Sequence, residues 1–304
     1  MPSASGALPR QVVLTADDFG LSAAVNEAVE RAHCEGILGA TSLMVAGPAA
    51  EDAIARARRL PELRVGLHLV LIEGPAVLPR EQIPDLVDQR GWFPADQFRL
   101  GPRYFFRPSV RRQLAREIRA QFACFAATGL TLEHADAHKH MQLHPTIGRL
   151  MLEIGREFGL KAVRVPSEPP SVLAAAGADV SITARLLSAW SQLFRRQARA
   201  AGMAAPNSLF GIAWSGGMTA ERVKALAPHL PLGLAELYFH PAAGRDALLT
   251  ELMPAYQQEA ELAALIDPMV ALALVSVAEI LPGYGGSTST DGAGRPVSGS
   301  PGGP

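Results

Sequence analysis

Short apolar runs alternate with longer stretches of helical period along most of this chain. Three runs lie near the N-terminus, VVLT at 12–15, TSLMVA at 41–46 and VGLHLVL at 65–71. Helical patterns at 22–35 and 48–60 separate them, with Ser22 as a candidate N-cap and Gly36 just past the first helix. Because parallel strands need long crossover connections, the alternation predicts repeated βα units around a parallel sheet.

The alternation breaks once and then resumes. Residues 72–108 are rich in Pro, Gly and aromatic residues without a clear period, which predicts a long excursion over one end of the sheet. We expect further strands at 131–135, 162–165, 208–214 and 234–239, and helices at 110–128, after Pro145, at 181–201 and at 220–227, before two C-terminal helices. About seven mainly parallel strands favour a closed or nearly closed β/α barrel, with a doubly wound open sheet as the competing architecture.

The elements fit a single catalytic domain over residues 11–281. Residues 1–10 are expected to be a flexible N-terminus. Residues 282–304 have the Gly, Ser and Pro content of a disordered tail, which would add nothing to the core.

Charge and cysteine content exclude several classes of protein. The 28 Lys and Arg against 29 Asp and Glu give a net charge of −1, so no global field points to nucleic acid or to an anionic membrane. Cys34 and Cys124 lie in helical patterns without CxxC spacing, and we expect both to be small core residues. The N-terminus lacks the apolar stretch of a signal peptide, and the longest apolar run, at 268–281, is too short to span a bilayer. We expect a cytoplasmic protein.

Ionisable side chains follow four of the apolar runs. They are Asp17 and Asp18 in TADDFG, His68 in VGLHL, Asp136, His138 and His140 in EHADAHKH, and Glu236 and His240 in ELYFHPA. In parallel α/β folds, ligands bind at the carboxyl ends of the strands. The sequence therefore predicts one site where these ends meet.

Asp17 and Asp18 are adjacent, and a regular strand would point them to opposite faces. A turn at Phe19 and Gly20 can instead aim both carboxylates into one cavity. Asp and His together suit a divalent ion, and three protein ligands would leave positions for water and substrate. The alternative is that the two carboxylates complement the dipole of the next helix, but two consecutive carboxylates exceed what capping needs.

Histidines crowd the stretch LEHADAHKHMQLHP at 132–145. His138 and His140 are two apart, so an extended chain places both on one face and spacing alone does not rank them. His134 lies further down the strand and is expected to be packed or to support the site. His144 precedes Pro145 at a helix start and is expected to be local or solvated. A lone His68 in a strand is usually a hydrogen-bonded core residue, but partners at three other strand ends favour a role in the site.

Three segments, TADDFGLS, GLHLVL and HADAHKHMQLHP, occur in an order and at separations that resemble the YdjC-like carbohydrate deacetylases. The resemblance covers most of the chain up to the tail. It is strongest to the branch associated with hopanoid biosynthesis, through ATSLMVAGPAAEDAIARARRLPELRVGLHLVLIEG and FGIAWSGGMT. The resemblance implies a distorted TIM-like barrel that removes acetyl groups from N-acetylglucosamine-type sugars with a divalent metal. Mg²⁺ and Zn²⁺ are the first candidates, with Mn²⁺ and Co²⁺ as alternatives.

The resemblance also implies roles for single residues. Carried over position by position, it places metal ligands at Asp18, His68 and His138, with Asp17 as the catalytic base beside them. At one position where the family has a further histidine, this chain has Gln142, which cannot titrate in its place.

The proton donor is left between two histidines. His140 and His240 are both candidates. We prefer His240 because it ends a strand that lies far along the chain from the strands that carry the proposed metal ligands. Asp136, Glu236 and His134 are expected to support the site from behind. The two carboxylates would orient imidazoles there, although helix capping or a polar core role stays open for them.

A hopanoid-linked sugar would require contact with a membrane. The segment SITARLLSAWSQLFRRQARAAG predicts an amphipathic helix whose apolar stripe is Ile182, Leu186, Leu187, Trp190, Leu193 and Phe194, flanked by Arg185, Arg195, Arg196 and Arg199. Such a helix over 181–201 is typical of peripheral contact with the inner membrane surface. An ordinary barrel helix with its stripe against the sheet has the same pattern.

The expected partner is an N-acetylated amino sugar, either lipid-linked or a chitooligosaccharide, and not a nucleic acid. A non-catalytic carbohydrate-binding protein on the same scaffold is one alternative. A metal-dependent phosphoesterase is another. The sequence has no glycine-rich phosphate cradle and no evident arginine pair beside the aspartates, which argues against the phosphoesterase.

Overall fold

The computed structural model of the chain describes residues 8–179 and 182–284, apart from the side chains of residues 97–99 and 182–186. The strands are β1 (Arg10–Phe19), β2 (Ala40–Leu43), β3 (Arg64–Leu69), β4 (Ala135–Ala137), β5 (Ser208–Phe210), β6 (Gly233–Phe239) and β7 (Glu279–Leu281). The helices are α1 (Ala23–Glu35), α2 (Ala50–Arg59), α3 (Gln97–Phe106), α4 (Pro108–Ala127), α5 (Pro145–Glu157), α6 (Pro170–Ala175), α7 (Ile182–Ala200), α8 (Ala220–Leu226), α9 (Ala247–Leu252), α10 (Gln258–Ile266) and α11 (Pro268–Val275). Short 3₁₀ segments lie at His138–Leu143 and Ala227–His229.

The strands form one parallel sheet in the order β4-β3-β2-β1-β6-β5, and β7 pairs with the start of β1. The sheet curls into a half-barrel with helices around it, so the predicted TIM-like α/β fold is confirmed. Residues 12–19 of the central strand β1 are all buried. Helices cover the outer face of the sheet and the barrel interior covers the inner face. Both faces of β1 are therefore buried, which explains why its sequence does not alternate between apolar and polar residues.

The segment 161–167 lies between the two edges of the sheet. On one side the backbone N–H of Ala135 in β4 donates to the Ala162 carbonyl at 3.1 Å, and on the other the N–H of Leu209 in β5 donates to the Ser167 carbonyl at 3.0 Å. The regular strand predicted at 162–165 is wrong, because this segment makes only isolated bridges. Pro166 follows directly and has no N–H to donate to a ladder.

Other boundaries also differ from the predictions. The strand expected at 131–135 begins instead at Ala135, and the excursion at 72–108 contains the helix α3. Ser22 caps α1 as expected, its hydroxyl accepting from the Val25 N–H at 3.3 Å. The assignment of the cysteines to the core is wrong, since Cys34 is exposed and Cys124 is half-buried.

The apolar stripe predicted on α7 does not form one exposed face. Phe194 is buried, and so is Arg195, whose guanidinium donates to the carbonyls of Pro206 and Asn207. Trp190 and Leu193 are exposed, at 48% and 45%. Ile182, Arg185 and Leu186 have side chains outside the described part of the structure. Of the helices in the described residues, none combines the length and apolarity needed to cross a membrane.

Packing continues past the last strand. Tyr284, which the sequence assigns to the tail, is 1% exposed. Its ring lies 4.4 Å from the ring of His134, centroid to centroid. The described core therefore extends to this residue, beyond the boundary expected at Leu281.

Candidate active site

The end of β1 departs from regular strand geometry at the two aspartates. Asp18 has a φ of +64°, and the register between β1 and β2 shifts between Ala16 and Phe19. A non-glycine residue in the left-handed region is strained, and such strain persists only where surrounding contacts hold it. The strained turn brings Asp17 and Asp18 into one buried cluster, as the Phe19–Gly20 turn predicts.

Three buried side chains point their ligand atoms at one another. Asp18 Oδ1 lies 3.2 Å from His68 Nε2 and 3.2 Å from His138 Nδ1, and the two nitrogens are 3.3 Å apart. Ligands held about 2.0–2.1 Å from a tetrahedral or octahedral ion are separated by about 2.9–3.4 Å. Apart from these two imidazoles, no described residue offers a hydrogen-bond donor to either oxygen of Asp18. A divalent cation fits this donor set, since it would bind the carboxylate and both ring nitrogens at once.

His68 is oriented from behind. Its Nδ1 lies 2.9 Å from Asp136 Oδ1 and 3.0 Å from the hydroxyl of Ser42. With Nδ1–H donating to Asp136, the lone pair of Nε2 faces the ligand triangle, which is how carboxylates commonly support metal-binding histidines. Burial alone would lower the pKa of His68, but the charge and hydrogen bond of Asp136, together with the nearby carboxylates of Asp18 and Asp17, raise that pKa well above its usual value.

Arg164 is fully buried at the centre of the cluster. Its two terminal nitrogens bind both oxygens of Asp17 at 2.6 and 2.7 Å. The same guanidinium lies 2.5 Å from Asp136 Oδ2 and donates from Nε to Glu236 Oε1 at 2.8 Å. Burial would raise the pKa of Asp136, but the charge of Arg164 together with the charge and hydrogen bond of His68 holds that pKa below its usual range.

The cluster carries excess negative charge. Asp17, Asp18, Asp136 and Glu236 are four buried carboxylates around the single guanidinium of Arg164. Burial raises the pKa of Glu236, so with the imidazoles neutral, as metal ligation requires, the formal excess is three negative charges with Glu236 ionised and two with it protonated. A divalent cation would reduce the excess to one charge or none, which is a second reason that the cluster suits such an ion.

Aromatic and hydroxyl side chains form a second wall of the cavity, which meets the charged cluster where the Arg164 guanidinium lies 4.9 Å from the centroid of the Tyr238 ring. The rings of Tyr238 and Tyr256 flank His240 at centroid distances of 5.4 and 5.0 Å. Tyr256 shares a hydrogen bond of 2.9 Å with the hydroxyl of Ser215, and Tyr238 one of 3.2 Å with His140 Nε2. Tyr238 and Tyr256 are both part of the lining of the described cavity.

The two histidines considered as proton donors occupy different environments. Burial, with the charge of Arg164, lowers the pKa of His140 to about 3. His240 is half-buried, and its Nδ1 has no partner among the described residues. Its backbone N–H donates to the buried Glu261, which also accepts from the Met218 N–H at 2.7 Å. His240 is thus held by its main chain while its ring stays open to the cavity.

The cavity between these walls has a volume of about 400 Å³. Its lining includes Asp17, His68, His138, His140, Tyr238, His240 and Tyr256. Lys139 and Glu73 form an ion pair that also lines it, and both have positive φ, +52° and +44°. The size is at the lower end of the range of small-molecule sites.

Comparison with known proteins assigns the chain to a family. The profile of the YdjC-like protein family matches residues 11–275. The chain belongs to this family. It is 30% identical over 263 residues to a carbohydrate deacetylase of Geobacillus stearothermophilus, a match that covers 86% of this chain and 91% of that protein.

Other relatives in the family match over shorter stretches. Identity to a carbohydrate deacetylase of Brevibacillus brevis is 37% over 160 residues, which is 53% of this chain and 59% of that protein. For a carbohydrate deacetylase of Vibrio cholerae it is 34% over 148 residues, 49% of this chain and 56% of that protein. The chain thus spans less than two thirds of these two relatives.

A solved structure supports the fold. An Enterococcus faecalis V583 protein, named for a suggested role in cellobiose-phosphate cleavage, superposes with a TM-score of 0.71 at 23% identity. The superposition covers 91% of this chain and 98% of that one. The superposition shows that the two proteins share the same fold.

The residues expected to support the site take different positions. Asp136 contacts the His68 imidazole, whereas Glu236 binds Arg164 rather than an imidazole and so takes the polar core position that the sequence left open for it. His134 packs against Tyr284 and directly over Gly66, where an added Cβ would lie 2.5 Å from its ring. Burial lowers the pKa of His134 to about 3, so it is a neutral packed residue behind the cluster. His144 is half-buried, with Nε2 3.0 Å from the Gly101 carbonyl.

Sequence reasoning missed Arg164, Ser42 and the tyrosines of the aromatic wall. The one available signal was a charged residue inside the apolar run AVRVP, because a buried arginine requires anionic partners. Ser42 and Tyr238 lie within strands and look like ordinary strand residues until the sheet places them beside the cluster.

Proposed function

We propose that this protein is a metal-dependent carbohydrate N-deacetylase that hydrolyses the acetyl group of an N-acetylglucosamine-type sugar. One observation carries the proposal: the ligand triangle of Asp18, His68 and His138 lies beside Asp17 in a cavity of about 400 Å³. The names of the relatives of Geobacillus, Brevibacillus and Vibrio support the same reaction.

Amide hydrolysis needs an activated water, a stabilised oxyanion and a proton for the departing amine. A divalent ion bound to Asp18, His68 and His138 would supply a Lewis acid for the first two of these. Asp17 is the proposed base that takes the proton of the attacking water. Each carboxylate oxygen has two lone pairs, and Arg164 uses one on each, so Asp17 Oδ2 keeps one to accept that proton.

His240 is the proposed proton donor to the leaving nitrogen. Its ring lines the cavity, whereas His140 Nε2 is engaged by the Tyr238 hydroxyl. Tyr238 and Tyr256 lie on either side of His240, and their rings suit the C–H face of a sugar. The products are acetate and a glucosamine-type amine.

The test is acetate release from N-acetylglucosamine oligomers by metal-stripped protein, with Zn²⁺, Mg²⁺, Mn²⁺ or Co²⁺ added back separately. We expect metal-dependent release that is lost in Asp17→Asn and in His138→Ala. Asp17→Asn should still bind metal in calorimetry, and His138→Ala should not. His229→Ala removes an exposed imidazole outside the cavity and serves as the control. Release that persists without metal, or in Asp17→Asn, would contradict the proposal.

A second candidate substrate is a lipid-linked sugar, such as the glycosylated hopanoid suggested by the sequence resemblance. The observation that favours it is a group of exposed apolar side chains, Phe105, Phe106, Trp190 and Leu193. They are linked through the segment that carries His138, because Phe105 lies 6.3 Å from the ring of His144 and Trp190 donates to the Leu143 carbonyl at 2.8 Å. An exposed apolar group on the segment that follows His138 suits contact with a bilayer.

Vesicle sedimentation tests this candidate. Phe106→Ser with Trp190→Ser should lower the bound fraction on anionic vesicles and leave turnover of soluble oligosaccharide within about twofold. If wild-type protein does not sediment with vesicles, a lipid-linked substrate loses its support and the soluble sugar stands alone.

The alternative functions find less support. Beside its metal, a phosphoesterase typically uses a cationic side chain to hold the phosphate, but at this cavity Arg164 is saturated by carboxylates and Lys139 pairs with Glu73. A non-catalytic sugar-binding protein would not need strained Asp18 or the excess of buried charge. Unchanged behaviour of Asp17→Asn in every assay would nevertheless favour that binder.

A further inference from the structure

The structure has a second cavity, of about 500 Å³. Its lining combines Trp214 and Arg222 with the carboxylates of Asp179 and Glu221 and with small alanine and glycine residues. The guanidinium of Arg222 lies 5.8 Å from the centroid of the Trp214 ring and donates to the Gly217 carbonyl at 2.6 Å. The cavity therefore combines one large aromatic ring with charged hydrogen-bonding groups.

The two cavities share one loop. Ile212 and Ser215 line the first cavity, and Ala213 and Trp214, which lie between them in the chain, line the second. Because consecutive Cα atoms are about 3.8 Å apart, the cavities lie on opposite sides of a wall a few residues wide. Ala213 and Ser215 are exposed, so a ligand can pass over the crest of this wall.

The shared loop is held in place by hydrogen bonds at both of its ends. Glu168 accepts hydrogen bonds from the backbone N–H groups of Gly211, Ile212 and Ala213 at 2.8, 2.8 and 3.0 Å. On the other side, the Gln257 N–H donates to the Gly216 carbonyl at 2.6 Å. A loop fixed at both ends keeps Trp214 at the second cavity before any ligand arrives, which lowers the entropy cost of binding.

We propose that the second cavity binds a further sugar residue of an oligosaccharide whose N-acetylated residue occupies the first cavity. The inference rests on the proposed function and makes its substrate class an oligosaccharide. An aromatic ring packs on the C–H face of a sugar, while carboxylates and a guanidinium pair with its hydroxyls. Asp179 and Glu221 accept hydrogen bonds from such hydroxyls and Arg222 donates to them.

The experiment compares a disaccharide with a pentasaccharide of N-acetylglucosamine on the metal-loaded full chain. The readout is the ratio of kcat/KM for the long substrate to that for the short one. In wild type we expect a ratio well above one. Trp214→Ala should lower it about tenfold, through KM of the pentasaccharide, and Trp214→Phe should restore part of it. Leu232→Ala truncates an exposed apolar side chain before β6 and should keep the wild-type ratio.

Binding is measured separately by calorimetry of the pentasaccharide and the disaccharide on Asp17→Asn. Weaker pentasaccharide binding by the Asp17→Asn, Trp214→Ala double variant would support the second cavity. If the wild-type protein released no acetate, this result would still support the second cavity and only the deacetylase proposal would fail. A ratio that is independent of chain length, or unchanged in Trp214→Ala, would overturn the inference and leave the deacetylase proposal intact.

Discussion

The two walls of the first cavity are built in opposite ways. One wall is backed, behind Asp17, by a buried cluster in which the Arg164 guanidinium lies 2.5–2.7 Å from oxygens of Asp17 and Asp136. The other is an aromatic surface on which Tyr238, His240 and Tyr256 make longer contacts, with centroids 5.0–5.4 Å apart. A buried ionic group depends on all its partners, whereas aromatic packing can lose one contact at modest cost. Substitutions should therefore have graded effects across the cavity.

The largest effect is expected at Arg164. Arg164→Met would leave three carboxylates buried without their cation, and removing one partner of a buried pair costs about 3–5 kcal/mol of unfolding free energy. Urea denaturation measures this loss. Adding Glu236→Gln should recover part of it. Arg149→Ala, which breaks an exposed pair with Glu153, should cost under about 1 kcal/mol.

An equal loss in the Arg149 and Arg164 variants would show that the cluster does not depend on its guanidinium. The contrast between the two walls would then disappear.

A smaller effect is expected at Asp136. Asp136→Asn weakens the support of His68 while leaving the ligand triangle in place, and such outer contacts are typically worth 10–100-fold in metal affinity. Competition with a metal chelator measures the affinity. Unchanged affinity would mean that the imidazole of His68 does not depend on this carboxylate.

The neutral His134 predicts a pH dependence of stability. Burial lowers the pKa of His134 to about 3, below its ordinary value of 6.5, so the unfolded chain binds more protons between these values. Stability contributed by neutral His134 is complete above pH 6.5 and is lost as pH falls towards 3, at up to about 1.4 kcal/mol per pH unit. His134→Phe should reduce this slope, because phenylalanine does not titrate. The substitution breaks no hydrogen bond, since neither ring nitrogen of His134 has a partner in the described structure.

Chemical denaturation from pH 4 to 7 checks the His134 prediction. Parallel pH profiles for wild type and His134→Phe would mean that the imidazole is charged or solvated in the folded state. His229→Ala is the control, because His229 is exposed to solvent in the folded protein. Its pH profile should match that of wild type.

The smallest effect is expected on the aromatic wall. Tyr256→Phe removes the 2.9 Å hydrogen bond to Ser215 but keeps the ring, so KM should rise by no more than a few-fold and kcat should hold. Steady-state kinetics on the disaccharide measures both. A loss of kcat comparable to that of Asp17→Asn would place the hydroxyl in the chemistry and remove the distinction between the walls.

Local patterns along the chain predicted much of the barrel. The position of β1, the cap of α1 by Ser22 and the placement of His68 on β3 depend on residues within one element. The strand at 162–165 was mispredicted because its pairing depends on both edges of the sheet, which are far away in the chain. Cys34 was mispredicted because period alone does not say which helix face meets the core.

The sequence by itself determined the kinds of chemistry available, since carboxylates and imidazoles at strand ends of a parallel sheet converge at one edge. Only the tertiary structure decided how they divide the work. Asp17 and Arg164 are 147 residues apart, and no local rule relates them. Curling of the sheet brings Arg164 between Asp17, Asp136 and Glu236, where the need to neutralise buried charge selects its partners.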